Sequence, residues 1–308
     1  MKLKHIIKSQ QFSVPSIMEL FATAQQMEKV VARGGTQDYN SKIMASLFYE
    51  PSTRTRFSFE TAMHRLGGRI LSTENAKEFS SAISGESIED TIKVLSQFVD
   101  VIVLRHDEIG GAERAAAVSN VPVINAGDGK GGQHPTQALT DLYTIFREIK
   151  TIDGLNIALV GDLAHGRTVR SLAYLLSKFE RVKIFFVAPD KLQIHQDILD
   201  HLEENKVWFA QENDLKKVVA EVDVVYQTRI EKILLEVSDN DYEKIMESFF
   251  INSGMMKKMK SNSIVMHPLP RLKEISSEVD TDSRAAYFRQ SQNGIYVRMA
   301  LLKTVLDA

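Results

Sequence analysis

The sequence contains no cysteine among its 308 residues. Disulfides, thiolate zinc sites and a cysteine nucleophile are therefore excluded. No apolar run approaches the ~20 residues that span a bilayer. Residues 1–9 carry three lysines, but no apolar stretch follows them to make a signal peptide. A cytoplasmic location is expected, or an organelle if a transit segment has been removed. Net charge is only −2, so no global basic field points to nucleic acid or a membrane as partner. Any positive charge a site needs must be gathered locally. Internal repeats and low-complexity tracts are also absent.

What is present fits a soluble globular protein: 44% hydrophobic and 25% charged residues. The length allows two domains, each with its own core. Apolar runs of strand length fall at 44–49, 99–104, 121–124, 156–160, 183–187, 223–226 and 263–266. Between them, helical spacing recurs. Phe59, Ala62, Met63 and Leu66 share one face, as do Leu139, Leu142, Tyr143 and Phe146 within a helix over 135–150. Val169, Leu172, Ala173 and Leu176 form another such face. A last helix is expected over 294–306. Strand–helix alternation in two blocks predicts an α/β fold of two three-layer domains with mainly parallel sheets. The break falls at 151–154. Ligands of such sheets bind at the carboxyl ends of strands, so the active site is expected in the crevice between the domains.

Four segments sit at junctions of that kind: 50–56, 105–106, 161–167 and 267–271. In the first, Ser52, Thr53, Arg54, Thr55 and Arg56 follow a strand and open a helix. A helix N-terminus offers unpaired N–H groups and a positive dipole end. Hydroxyls and guanidinium groups add strong donors for phosphate. Ser and Thr are also ordinary helix caps, so from these residues alone both readings stand.

The wider pattern is more specific. The run Phe48-Tyr49-Glu50-Pro51-Ser52-Thr53-Arg54-Thr55-Arg56-Phe57-Ser58-Phe59-Glu60 resembles the carbamoyl-phosphate signature of the carbamoyltransferase family. His134-Pro135-Thr136-Gln137 and His267-Pro268-Leu269-Pro270-Arg271 resemble the second and third motifs of its aspartate branch. Gly161-Asp162-Leu163 with Gly166-Arg167-Thr168 resembles the segment that carries one aspartate-binding arginine. The resemblance runs nearly end to end. Ornithine-specific relatives carry a cysteine where this chain has Thr136 and Pro268, which argues against ornithine as acceptor.

The resemblance implies transfer of the carbamoyl group of carbamoyl phosphate to L-aspartate in pyrimidine synthesis. Residues 1–150 would bind carbamoyl phosphate, with a C-terminal helix over 285–308 packed back onto them, and 151–284 would bind aspartate. Ser52, Thr53, Arg54 and Thr55 would grip the phosphate. Thr55, Arg105 and His134 would polarise the carbonyl oxygen, as donors aimed where negative charge develops. With Arg54 they make up the catalytic set. Gln137 and the backbone at Leu269 and Pro270 would contact the carbamoyl nitrogen. Arg167 and Arg229 would hold the aspartate carboxylates. Phosphate is a good leaving group, so no metal, cofactor or covalent intermediate is required. A homotrimer with shared sites is implied, and a regulatory chain is possible.

Three positions depart from the family pattern. Ser84 stands where a lysine donated to the neighbouring subunit is expected. Glu231 stands where glutamine is usual near the substrate amine, and Leu234 where an arginine is common. All lie on the acceptor side or its closing loop. They leave open a different amino acceptor, a weakly active paralogue kept as a binding or assembly subunit, or drift compensated by Lys77 or Lys93.

Overall fold

The structure, a computed structural model, describes residues 3–79 and 85–308. Ser84 lies outside the described residues. Two compact units are present: Met1–Thr140 with Gln292–Ala308, and Asp141–Ser291.

The first unit holds a four-stranded parallel sheet. Its strands are β1 (Ile43–Phe48), β2 (Arg69–Glu74), β3 (Val101–His106) and β4 (Val123–Asp128), in the order β2-β1-β3-β4. Its helices are α1 (Val14–Ala32), α2 (Thr53–Arg65), α3 (Ala76–Phe79), α4 (Ile88–Leu95), α5 (Gly111–Val118) and the first turns of α6 (Pro135–Ile149). Successive strand residues point to opposite faces. Ala45, Leu47, Ile102 and Leu104 point one way, into a core with Ile88, Ile92, Ala112 and Ala115 of α4 and α5. Ser46 points the other way and its hydroxyl lies 3.0 Å from Glu60 Oε1 of α2. Phe59, Ala62 and Met63 on that helix are fully buried, each large one contributing ~1.5–3 kcal/mol. Helices thus cover both faces, as a parallel sheet requires.

The second unit repeats the plan with five parallel strands. These are β5 (Asn156–Val160), β6 (Lys183–Val187), β7 (Trp208–Glu212), β8 (Val224–Gln227) and β9 (Ile264–Met266), in the order β7-β6-β5-β8-β9. Flanking helices are α7 (Arg167–Leu176), α8 (Gln196–Glu204), α9 (Lys232–Leu235), α10 (Asp239–Glu247) and α11 (Ser253–Met256). The last helix, α12 (Tyr287–Leu306), contributes its residues from Gln292 onward to the first unit. No helix among the described residues is long and apolar enough to cross a membrane.

Several boundaries differ from the sequence expectation. Strand β4 continues to Asp128, beyond the apolar run at 121–124. Asn125 allows this because its amide is satisfied inside, donating to Ile7 O at 2.9 Å and accepting from Gly127 N–H at 2.8 Å. Arg105 lies within β3, not after it. Helix α12 starts seven residues before Gly294. Strands β2 and β7 are edge strands with largely exposed or half-buried residues, so neither carries a continuous apolar run.

The strand order reverses once in each sheet. In the first, the chain leaves β1 for β2 on one side, then returns to β3 on the other. In the second, β5 is followed by β6 and β7 on one side and by β8 and β9 on the other. Such reversals open a crevice at the carboxyl ends of the two strands concerned.

Candidate active site

At the β1/β3 reversal, Phe48 pairs in register with Arg105, and Tyr49 N–H donates to Arg105 O at 2.9 Å. The segment after β1 carries Ser52, Thr53, Arg54 and Thr55 into the start of α2. Ser52 holds the cap position, yet its side chain accepts no capping bond. Its hydroxyl is not spent on the helix, and the first backbone N–H groups keep their outward direction. No acidic residue occupies the first turn, although carboxylates are favoured there by the dipole. Arg56 instead serves the scaffold, with Nη2 2.9 Å from Glu74 Oε2.

Acceptors on two segments hold Arg105. Its Nη2 lies 3.1 Å from Glu50 Oε2, and its Nη1 donates to Ala126 O at 3.3 Å. Gly127 passes directly behind this guanidinium at φ +124°. A Cβ there would lie 2.7 Å from Arg105 Nη1 and 3.5 Å from His134 Cδ2. Arg105 and His134 are therefore gathered around one glycine that tolerates no side chain. His134 is buried, with Nδ1 3.3 Å from Thr136 Oγ1. It precedes Pro135, the first residue of α6, whose missing N–H costs the helix nothing. Gln137 lies at the first turn of α6 and accepts from Arg298 Nη2 at 3.3 Å.

In the second unit, the β5/β8 reversal is closed by Thr228, whose N–H and hydroxyl both donate to Val160 O, at 2.7 and 2.8 Å. Asp162 N–H donates to Arg229 O at 3.0 Å. Arg167 opens α7 after Gly166, which has no side chain to cap with, and the first turn again lacks an acid. Arg229 is exposed, and its Nη2 lies 3.1 Å from Glu231 Oε1. Each unit therefore carries two of the four expected arginines at its own strand-order reversal.

The turn after β9 is built by a buried histidine. Leu269 N–H donates to His267 Nδ1 at 2.7 Å, so the ring proton sits on Nε2 and is donated to Glu274 Oε1 at 2.8 Å. Burial holds the His267 pKa below its ordinary value, against the opposing pull of Glu274. A chain of bonds continues inward: His267 N–H to Gln290 Oε1 (2.9 Å), Gln290 Nε2 to Asp141 Oδ1 (2.7 Å), and Tyr226 hydroxyl to Asp141 Oδ2 (2.8 Å). Burial, then the Asp141 charge, keep the Tyr226 phenol protonated well above the ordinary range. The network anchors the turn to β8. Leu269 within it has φ +56°, and its bond to Pro270 is cis.

The sequence matches two family profiles. One, described as "Aspartate/ornithine carbamoyltransferase, carbamoyl-P binding domain", covers residues 4–147; the other, the "Asp/Orn binding domain" of the same family, covers 153–305. The chain belongs to the aspartate/ornithine carbamoyltransferase family. Its relatives include aspartate carbamoyltransferase 1, chloroplastic, of Pisum sativum, 52% identical, with 99% of this chain and 79% of that protein covered. The catalytic subunit of aspartate transcarbamoylase from Methanocaldococcus jannaschii is 46% identical, with 99% and 98% covered and a TM-score of 0.92. Aspartate transcarbamoylase from Trypanosoma cruzi, solved with carbamoyl phosphate and aspartate, is 40% identical, with 99% and 96% covered and a TM-score of 0.92.

Within this family member, the supporting residues were the ones that local pattern did not single out. Glu50 lies in the segment after β1, and its role is evident only in its contact with Arg105. Glu274 stands seven residues beyond His267, and Arg298 is separated from Gln137 by 161 positions. A charged residue at a buried position of an amphipathic helix was the available signal for Arg298, which is 3% exposed.

Proposed function

We propose that this chain catalyses attack of the α-amine of L-aspartate on the carbonyl carbon of carbamoyl phosphate. A C–N bond forms and the C–O bond to phosphate breaks. The phosphate leaves with the bonding pair, and the amine gives up a proton to phosphate or solvent. N-carbamoyl-L-aspartate and inorganic phosphate result. The observation that carries this reading is the placement of both motif sets. Ser52–Thr55 and Arg105 fall at the strand-order reversal of the first sheet, and Arg167 and Arg229 fall at that of the second.

In this reading, 1–150 supplies the donor half. Ser52, Thr53, Arg54 and Thr55 hold the phosphate at the start of α2. Thr55, Arg105 and His134 donate to the carbonyl oxygen as it gains charge, and a preformed set of this kind needs no reorganisation during reaction. Gln137 and the backbone of Leu269 and Pro270 accept from the carbamoyl nitrogen. Residues 151–284 supply the acceptor half, with Arg167 and Arg229 on the two carboxylates. Orienting two mutually repelling anions is the larger part of the work. A homotrimer acting in the cytoplasm, or in an organelle as the chloroplastic names of plant relatives suggest, accompanies the proposal. A regulatory chain would fit the "catalytic subunit" name of the archaeal relative.

One observation favours a second reading. Glu231 already places a carboxylate on Arg229, which would favour an acceptor with less negative charge than aspartate. The test is direct. Purified protein is incubated with carbamoyl phosphate and a panel of amino acids, and carbamoylated product and phosphate are quantified. Carbamoyl-aspartate as the main product is expected. A different main product would support the second reading, and no product despite tight binding of carbamoyl phosphate would indicate a non-catalytic paralogue.

A further inference from the structure

We propose that Arg298 is a positioning residue for the donor half: its buried guanidinium sets the orientation of the Gln137 side-chain amide that meets the carbamoyl group. The proposal rests on the reading of Gln137 given above.

Four observations converge on it. Arg298 is 3% exposed, an unusual position for a permanent charge. Its Nη2 donates to Gln137 Oε1 at 3.3 Å. Its guanidinium carbon lies 5.2 Å from the centroid of the Phe59 ring, within range of a cation–π contact. Phe59 belongs to α2, the helix that begins at the phosphate grip, and Gln137 lies one turn beyond His134. Arg298 therefore touches both elements of the donor half from a third, α12. Lastly, Gly294 sits one turn before Arg298, and a Cβ there would lie 2.3 Å from Arg298 Nη1. Glycine weakens a helix interior relative to alanine. Here that loss accompanies clearance for the guanidinium.

The chemistry defines what this contact does. Arg has donors and no acceptor, so only the oxygen of the Gln137 amide can face it. The amide is thereby held in one of its two flip states, with its oxygen direction fixed. That oxygen can accept twice, so it can take a carbamoyl N–H while bound to Arg298. Inorganic phosphate has no carbamoyl nitrogen and would not sense the difference.

A double-mutant cycle on the full chain separates positioning from general structure. Arg298→Met is expected to lower kcat/KM for carbamoyl phosphate by ~10-fold and to leave inhibition by inorganic phosphate within ~2-fold of wild type. On a Gln137→Ala background the same change is expected to cost less than ~2-fold, because its target is already gone. Equal losses on both backgrounds, or parallel loss of phosphate inhibition, would overturn the proposal. If circular dichroism shows Arg298→Met unfolded, Gly294→Ala displaces the guanidinium without removing it and enters the same cycle with the same deciding outcomes. A readout independent of turnover is the NMR signal of the Gln137 side-chain amide. Its shift is expected to change in either variant, and an unchanged shift would refute the contact. Absence of carbamoyl transfer in wild type would instead overturn the functional reading and leave this amide readout to decide the contact.

Discussion

Arg229 and Glu231 form an ion pair on the segment that leaves β8, with Nη2 3.1 Å from Oε1 and both side chains nearly half exposed, at 42% and 46%. Two residues apart, they let the chain supply its own carboxylate to the guanidinium assigned to substrate. An exposed pair of this kind is worth ~0–1 kcal/mol. Aspartate would have to displace that contact before binding. Glu231→Gln is therefore expected to lower the KM for aspartate by ~2- to 5-fold, with a smaller change in kcat. Aspartate saturation curves at fixed carbamoyl phosphate measure it, and an unchanged KM would remove Glu231 as a competitor.

Ser84 calls for the opposite change. The family resemblance places a lysine there, and a charge-assisted contact to a doubly anionic site is worth ~1.5–3 kcal/mol. Ser84→Lys is expected to raise kcat/KM for aspartate by ~10- to 150-fold. Equal activity of the two proteins would mean that another cation, such as Lys93, already does the work.

Gly127 tests the donor half. A methyl group there would lie 2.7 Å from Arg105 Nη1, and alanine is disfavoured at φ +124°. Gly127→Ala is expected to move Arg105 off its acceptors and to lower kcat by ~100-fold, the scale of losing one oxyanion donor. Single-turnover kinetics would register the loss. Aspartate-analogue binding should change little, because Arg167 and Arg229 belong to the other unit.

The buried His267–Glu274 pair predicts a pH dependence of stability. Burial holds His267 below the ordinary histidine value of 6.5, so the unfolded chain takes up the proton first as pH falls. Its contribution is complete above 6.5 and is lost as pH drops toward the folded value. Burial pushes the Glu274 carboxyl upward, but bonds from His267 and the Leu272 N–H outweigh it and hold the group below the ordinary 4.5. That contribution is present above 4.5 and is lost as pH falls through the lowered value. Thermal midpoints are expected to fall steadily from neutral pH downward. Glu274→Gln should cost ~1–3 kcal/mol at neutral pH, with the gap to wild type closing in acid. A gap that stays constant with pH would refute the pairing.

Much of this molecule was legible along the chain. Parallel strands inside a sheet are buried on both faces, so β1, β3, β5, β6 and β8 announce themselves as apolar runs; β9 lies at an edge but is buried throughout and does the same. Helical faces such as Val169, Leu172, Ala173 and Leu176 do the same at their own period, and all four are fully buried. The edge strands β2 and β7 carry no apolar run because their residues are exposed or half-buried, unlike those of the edge strands β4 and β9. The end of β4 lies beyond the apolar run at 121–124, where Asn125 bonds Ile7 O.

The two-block α/β plan and the donor residues at strand ends can be read along the chain. Those depend on local burial period and on short runs of contiguous residues. Tertiary structure decided which more distant partners hold those groups: Glu50 on Arg105, Arg298 on Gln137 and Glu274 on His267. A one-dimensional pattern reports whether a side chain is buried. Which distant group it meets there depends on how sheets and helices pack, and an orienting hydrogen bond requires both partners to arrive within about 3 Å.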